Sequence, residues 1–240
     1  MESNPDHSGD AFDACADDYD GALNQGLAVS GESKEFFAEA RIQWTSDTMA
    51  RMEFSAEAIM DFGCGVGTAT PYLSSTFSPK RIVGVDTSHA SLKQATHQFG
   101  REDVCFMAPD ACSLENEVDL VYSNGTFHHI PLDARASALG VIHRALRPGG
   151  LFALWENNPW NIGTRWVMSR IPFDRDAVTL SPPYTKALLA SHGFSIVRTD
   201  FLFLFPACLR ALRPLERCVS RLPLGAQYMT LARKVEPADV

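Results

Sequence analysis

Short apolar segments alternate with helix-like segments from residue 56 to residue 156 of the 240-residue chain. We interpret the apolar segments as strands, namely AIMDF at 58–62, RIVGVD at 81–86, DVCFMA at 103–108, EVDLVYSN at 117–124 and LFALWE at 151–156. The helix-like segments lie at 68–75, 88–99 and 131–150. Because parallel strands need a crossover connection, this alternation predicts an α/β fold whose parallel sheet is covered by helices on both faces.

Other patterns lie on either side of this region. We predict helices at 33–52 and 181–194, strands at 195–205 and 226–234, and a polar connection at 157–180. An unusually long insertion separates the last two strands, and Pro214 within it splits the segment and begins a helix at 214–221.

The composition argues against several classes of protein. A hydrophobic content of 45% can bury a sizeable core, and a net charge of -8 argues against a general nucleic-acid binder. No apolar run reaches the ~20 residues of a membrane span, the acidic N-terminus is not a signal peptide, and the six cysteines show no zinc-binding spacing. We therefore predict a cytoplasmic protein with no metal, no transmembrane segment and no nucleic-acid partner.

Charge is distributed unevenly along the chain. Residues 1–33 hold eight acids and no Lys or Arg, whereas residues 201–234 hold six bases and one acid. One interpretation is two solvated faces that neutralise each other. The other is a basic segment at 206–221 that faces an anionic substrate or makes peripheral contact with a lipid surface.

A glycine-rich loop, DFGCGVGT at 61–68, follows the first predicted strand. A phosphate-binding loop of the GK[ST] type needs a lysine before Thr68, and here the preceding residue is Gly67. The dinucleotide fingerprint GxGxxG needs its third glycine at position 68, which is threonine. The glycines at every second residue still predict a compact turn on which a ligand can lie.

This loop resembles the cofactor-binding loop of class I S-adenosylmethionine-dependent methyltransferases. The segments FDACADDYD at 12–20, VGVD at 83–86, MAPDA at 107–111, VYSNGTFHHIP at 122–131 and ALRPGG at 145–150 resemble further motifs of that family, in the same order. The resemblance implies a Rossmann-like, doubly wound sheet of seven strands, mostly parallel, with the last strand antiparallel.

The same resemblance implies a division of the chain. Residues 1–10 are predicted to be disordered, and 11–240 to form a single methyltransferase domain. Within it we expect a helical cap at 11–55, a cofactor-binding core at 56–156, a substrate-specificity region with a helical insertion at 157–225, and a last strand and tail at 226–240.

The resemblance also implies a set of cofactor-binding residues. Asp86 ends the second strand and is expected to accept hydrogen bonds from the ribose hydroxyls, Asp110 and Ala111 to contact the adenine, and Tyr19 to close over the cofactor. Arg41, late in the first helix, is expected to pair with the cofactor's carboxylate. The full predicted set is Tyr19, Arg41, Asp61, Gly63, Gly65, Gly67, Asp86, Thr87, Asp110, Ala111 and Asn124, with S-adenosylmethionine as the cofactor and S-adenosylhomocysteine as its product.

Two histidines, His128 and His129, follow the fourth strand, at the sheet edge where doubly wound folds bind ligands. Either is a candidate general base for an acceptor that starts protonated, such as a hydroxyl, and either could instead have a structural role. Glu156, Asn157, Arg165 and Trp166 are the predicted substrate-binding residues.

We predict a small-molecule methyl acceptor, with an oxygen nucleophile of a sugar, a lipid-linked compound or a secondary metabolite as the first choice. The alternatives are N- or C-methylation and a regulatory protein that binds the cofactor without turnover. The chain is predicted to act as a monomer or a homodimer.

Overall fold

A seven-stranded sheet forms the centre of the structure, a computed structural model that describes residues 31–170 and 178–235. The strands are β1 (Ala58–Phe62), β2 (Arg81–Val85), β3 (Val104–Met107), β4 (Val118–Asn124), β5 (Leu146–Asn157), β6 (Phe194–Leu202) and β7 (Gln227–Lys234). They lie in the order β3-β2-β1-β4-β5-β7-β6, and β7 is antiparallel to both of its neighbours. The predicted seven-stranded sheet with an antiparallel last strand is confirmed.

Helices connect the strands and cover the sheet. The α-helices of the described residues are α1 (Lys34–Ala50), α2 (Thr70–Phe77), α3 (His89–Phe99), α4 (Arg135–Ala145), α5 (Ile162–Met168), α6 (Pro182–Ala190) and α7 (Glu216–Val219), and a 3₁₀-helix spans Ala207–Leu215. Side-chain caps begin three of them, since Ser33, Ser88 and Asn161 each accept a hydrogen bond from an amide in the first turn. None of these helices is both long and apolar enough to cross a bilayer.

Two hydrophobic clusters pack on opposite faces of the sheet. On one face, Ile42 and Met49 of α1 contact a layer that includes Ile59 and Trp155. On the other face, α4 and α6 bury their apolar side chains against residues such as Val121 and Phe152. Helices on both faces confirm the doubly wound prediction and leave the ends of the strands as the exposed edge.

Some predicted boundaries differ from the structure. The segment predicted as a helix at 131–150 contains α4 only from Arg135 to Ala145, and β5 begins at Leu146 because that residue pairs with Val118. The insertion helix predicted at 214–221 is present but shorter, as α7 (Glu216–Val219). Pro214 lies inside the 3₁₀-helix, just before α7. Helix α5 was missed within the predicted polar connection.

Candidate functional site

Strands β1, β2, β4 and β5 run parallel, so their carboxyl ends meet at one edge of the sheet. Asp61, Asp86, Asn124 and Glu156 lie at these four strand ends. In open α/β sheets this edge is where ligands bind. The structure therefore brings one predicted site residue from each of four strands to the same place.

The glycine loop folds back against the end of β2. Gly63, Gly65 and Gly67 all have positive φ angles, of 78°, 51° and 80°. A Cβ atom on Gly63 would lie 2.1 Å from Thr126 Oγ1, whereas a Cβ on Gly65 would meet nothing within 4 Å. Gly63 is thus required by packing, and Gly65 leaves open space beside the loop.

Asp86 connects this loop to the next helix. Its Oδ2 accepts a hydrogen bond from the Gly65 amide over 2.8 Å, and its Oδ1 accepts one from the Ser88 amide over 2.9 Å. Ser88 is the N-cap of α3, and its side chain accepts a hydrogen bond from the Ser91 amide. Thr87 is exposed.

Two buried acceptors near the loop lack a hydrogen-bond partner among the described residues. They are Asp61 Oδ2 at the end of β1 and Asn124 Oδ1 at the end of β4. Burial is the main cause that raises the pKa of Asp61 to about 7, and the nearby Asp86 raises it further. Because unsatisfied buried acceptors are costly, this pair favours a ligand that donates hydrogen bonds or carries positive charge.

Arg41 places a buried positive charge on the side of the sheet covered by α1. Its Nη1 donates to Gln227 Oε1 over 2.9 Å, and its Nε donates to the Tyr122 hydroxyl over 3.4 Å. Both partners are neutral, and among the described residues Arg41 has no carboxylate partner. Burial raises the pKa of the Tyr122 phenol, and the Arg41 charge opposes that rise. The guanidinium can therefore accept an anionic group from a ligand.

His128 and Glu156 form a buried pair. The distance between His128 Nδ1 and Glu156 Oε2 is 2.6 Å, and the exposed fractions of the two side chains are 3% and 0%. Glu156 Oε1 accepts a second hydrogen bond, from the Phe127 amide over 2.9 Å. The His129 ring lies beside that of His128, with 4.1 Å between ring centroids. The sequence placed both histidines at this edge but did not predict the carboxylate contact.

The remaining predicted residues lie in more exposed positions. Asp110 is exposed in the turn after β3, where its Oδ1 accepts from the Ala111 amide over 2.9 Å. Asn157 is half-buried, and its Oδ1 accepts from Gln227 Nε2 over 3.1 Å.

On α5, Arg165 and Trp166 are both exposed, and the Arg170 guanidinium stacks 3.8 Å from the Trp166 ring centroid. Tyr19 lies outside the described residues. The roles predicted for all of these residues stay predictions.

The basic insertion pairs several of its arginines with acids of the same chain. Arg213 contacts Glu32 over 2.7 Å, and Arg217 contacts Asp47 on α1 over 3.0 Å. The insertion thereby covers part of α1 and borders an open pocket of about 230 Å³, lined by both apolar and charged side chains. These ion pairs favour the interpretation that the insertion neutralises acidic parts of the chain.

Comparison with known proteins identifies what the chain is similar to. Residues 60–154 match a family described as a methyltransferase domain. Among curated proteins, the trans-aconitate 2-methyltransferase of Methylobacterium nodulans is 34% identical over 158 residues, which cover 65% of this chain and 57% of that protein. The chain spans about half the length of the curated relatives it matches.

Solved structures share the fold. A chain from the complex between the Haloferax volcanii Trm112 methyltransferase activator and a methyltransferase aligns with a TM-score of 0.64 at 20% identity, covering 97% of this chain and 100% of that one. An S-adenosylmethionine-dependent methyltransferase from Mesorhizobium loti aligns with a TM-score of 0.54 at 21% identity, covering 75% of this chain and 91% of that one. At these identities the likeness concerns the fold alone.

Proposed function

We propose that this chain transfers a methyl group to an oxygen atom of a small molecule. The premise is that it belongs to the class I S-adenosylmethionine-dependent methyltransferases. The observation that carries the proposal is the strand edge where the glycine loop and Asp86 meet two buried acceptor oxygens, of Asp61 and Asn124, that have no hydrogen-bond partner among the described residues. Composition and fold alone would fit many other functions at this edge.

The residues at this edge fit S-adenosylmethionine. The open space at Gly65 admits a ligand against the loop backbone, and the unpartnered oxygens of Asp61 and Asn124 suit an ammonium donor. Asp86 offers acceptors for ribose hydroxyls, and Arg41 offers a cation for a carboxylate. Asp110 and Ala111, in the turn after the neighbouring strand β3, would contact the adenine. When bound, the cofactor supplies a methyl group activated by its positively charged sulfur.

The chain's own residues supply orientation and proton transfer. Most of the catalytic effect in such a reaction comes from two things. The protein holds the acceptor in line with the methyl group, and it keeps bulk water away. A hydroxyl acceptor also has to lose a proton, and the buried His128 lies at the edge where it can take one. Because a candidate base lies at the edge proposed to bind the cofactor, a hydroxyl is favoured as the methyl acceptor over a nucleophile that needs no base.

A carboxylate acceptor is the second candidate. It is favoured by the relatives named trans-aconitate 2-methyltransferase. A carboxylate starts ionised, so its methylation would not require His128. Exposed α5, with Arg165 and Trp166, lies just beyond the end of β5 and would contribute to acceptor choice in either case.

Two measurements test the proposed function. Calorimetry should detect binding of S-adenosylmethionine and not of NADH, and binding of NADH alone would contradict the proposal. Incubation with methyl-labelled cofactor and a fractionated metabolite extract should then label a small molecule. Mild base treatment distinguishes the two candidates, because it releases methanol from a methyl ester and leaves a methyl ether intact. Binding without transfer to any fraction would favour a regulatory role.

A further inference from the structure

We infer that Glu156 is a positioning residue, which fixes the imidazole of His128 in the tautomer that can accept a proton from the acceptor. The inference rests on the proposed function and assigns a role within the same site. It replaces the direct substrate contact expected for Glu156 with a role that acts through His128.

Glu156 accepts two hydrogen bonds from described residues. Its side chain has no exposed surface, and each of its two oxygens receives one contact, from the Phe127 amide over 2.9 Å and from His128 Nδ1 over 2.6 Å. An ionised carboxylate can only accept, so the proton of neutral His128 lies on Nδ1. The lone pair of the ring is then on Nε2.

The backbone around His128 is held as firmly as its ring. The His128 carbonyl accepts from the Val178 amide over 3.1 Å. The buried Arg135 donates to the carbonyls of Ile130 and Val178, each over 3.0 Å. It therefore connects the segment that contains His128 to the segment that begins at Val178. The position of the imidazole is therefore set by its ring partner and by its own main chain.

The ring also lies next to the cofactor edge. A Cβ atom on Gly125 would be 3.6 Å from His128 Cε1, the ring carbon between the two nitrogens. Gly125 directly follows Asn124, whose unpartnered oxygen we assign to the cofactor. His128 thus lies close to the place where the methyl group is expected.

In the transfer step, His128 Nε2 takes the hydroxyl proton as the acceptor oxygen bonds to the methyl carbon, which breaks the carbon–sulfur bond and leaves its electron pair on sulfur. Glu156 stabilises the imidazolium that forms, and His128 later returns the proton to water. Among the described residues, ionisable groups close to the pair include His129, Arg135 on α4 and Tyr228 on β7. Burial, and secondly Glu156, raise the pKa of the Tyr228 phenol, so it stays neutral.

Glu156→Gln tests the inference because glutamine has one acceptor and one donor. The Phe127 amide requires the oxygen, so the amide NH₂ would face His128 Nδ1 and move the ring proton to Nε2. Nitrogen NMR of protein labelled at histidine, recorded without cofactor, reports the tautomer, and the spectrum of His128→Gln assigns the signal among the seven histidines.

We expect the Nδ1-protonated tautomer in the wild type and the Nε2-protonated one in Glu156→Gln. We also expect kcat/KM for methyl transfer to fall about 100-fold or more in the variant, with cofactor affinity unchanged. Glu117→Gln is the matched control, because Glu117 pairs on the surface with Arg81, and it should change neither the tautomer nor the rate.

The wild-type tautomer alone decides the matter if Glu156→Gln fails to fold. A wild-type ring protonated on Nε2 would overturn the inference, and so would a tautomer switch that leaves kcat/KM unchanged. Failure of the proposed function has a different signature, since the wild type would then bind no S-adenosylmethionine, whatever the tautomer of His128.

Discussion

Asp86 Oδ2 and the Gly65 amide are joined by a hydrogen bond of 2.8 Å, which ties the end of β2 to the loop that follows β1. The other oxygen of the same carboxylate accepts from the Ser88 amide. Each carboxylate oxygen has two acceptor sites, so Asp86 can hold the loop and still receive hydrogen bonds from a ligand. Loop shape and ligand binding therefore depend on one side chain.

Asp86→Ala should weaken binding of S-adenosylmethionine by about 1–3 kcal/mol, because hydrogen bonds to a charged group are lost. The melting temperature should also fall, since the Gly65 and Ser88 amides lose their acceptor. Calorimetry at fixed temperature measures the first effect. Asp103→Ala is a suitable control, because Asp103 is partly exposed and pairs with Arg101 away from the strand edge. An unchanged affinity in Asp86→Ala would rule out the ribose role.

Asp61 should make the protein less stable as the pH rises towards neutrality. Its pKa is about 7 in the folded chain and near 3.8 when unfolded, so between these values the folded state holds a proton that the unfolded state lacks. Its contribution to stability is full below about pH 4 and is lost as the pH rises through 7.

Asp61→Asn should remove this dependence and raise the unfolding free energy at about pH 8, by an amount on the order of 4 kcal/mol. Urea unfolding over a pH series measures it, with the exposed Asp133→Asn as the control. If the wild type and Asp61→Asn showed parallel pH profiles, the carboxyl would not be the group responsible.

The alternation of strands and helices predicted the sheet correctly because parallel strands, buried on both faces, appear in sequence as continuous apolar runs. The sequence also predicted that Asp61, Asp86 and Glu156 lie at the ends of strands. It did not predict which side chains contact one another. Gln227 lies 186 residues from Arg41, and the Glu156–His128 contact depends on how strand β5 is aligned with β4. Nothing local in the sequence signals either contact.

Helix boundaries failed where a tertiary contact overrode a local signal. Pro131 is followed by a turn rather than by the start of α4, and Arg135, which begins that helix, is buried through hydrogen bonds to Ile130 and Val178. A fully buried arginine has no sequence signature, since most arginines are exposed.

Arg41→Ala should weaken binding of S-adenosylhomocysteine by about 1.5–3 kcal/mol, if its guanidinium pairs with the carboxylate of the cofactor. Methylthioadenosine lacks that carboxylate, so its affinity should be the same for the wild type and the variant. The comparison separates a lost ion pair from a general disturbance of α1. An equal loss for both ligands would show that Arg41 acts only through packing with Tyr122 and Gln227.

Gly63→Ala should disrupt the glycine loop, because the new Cβ would lie 2.1 Å from Thr126 Oγ1 and the residue has a φ of 78°. We expect a loss of unfolding free energy of at least about 1 kcal/mol and a larger loss of cofactor affinity. Gly140→Ala is the matched control: Gly140 lies in α4, where a Cβ meets nothing within 4 Å, and alanine there should raise stability by about 0.5–1 kcal/mol. Chemical denaturation should therefore show opposite changes in the unfolding free energy of the two variants. Calorimetry should show weaker cofactor binding for Gly63→Ala and unchanged binding for Gly140→Ala. A Gly63→Ala protein that binds the cofactor as the wild type does would mean that the loop can move away from Thr126 without losing its ligand-binding shape.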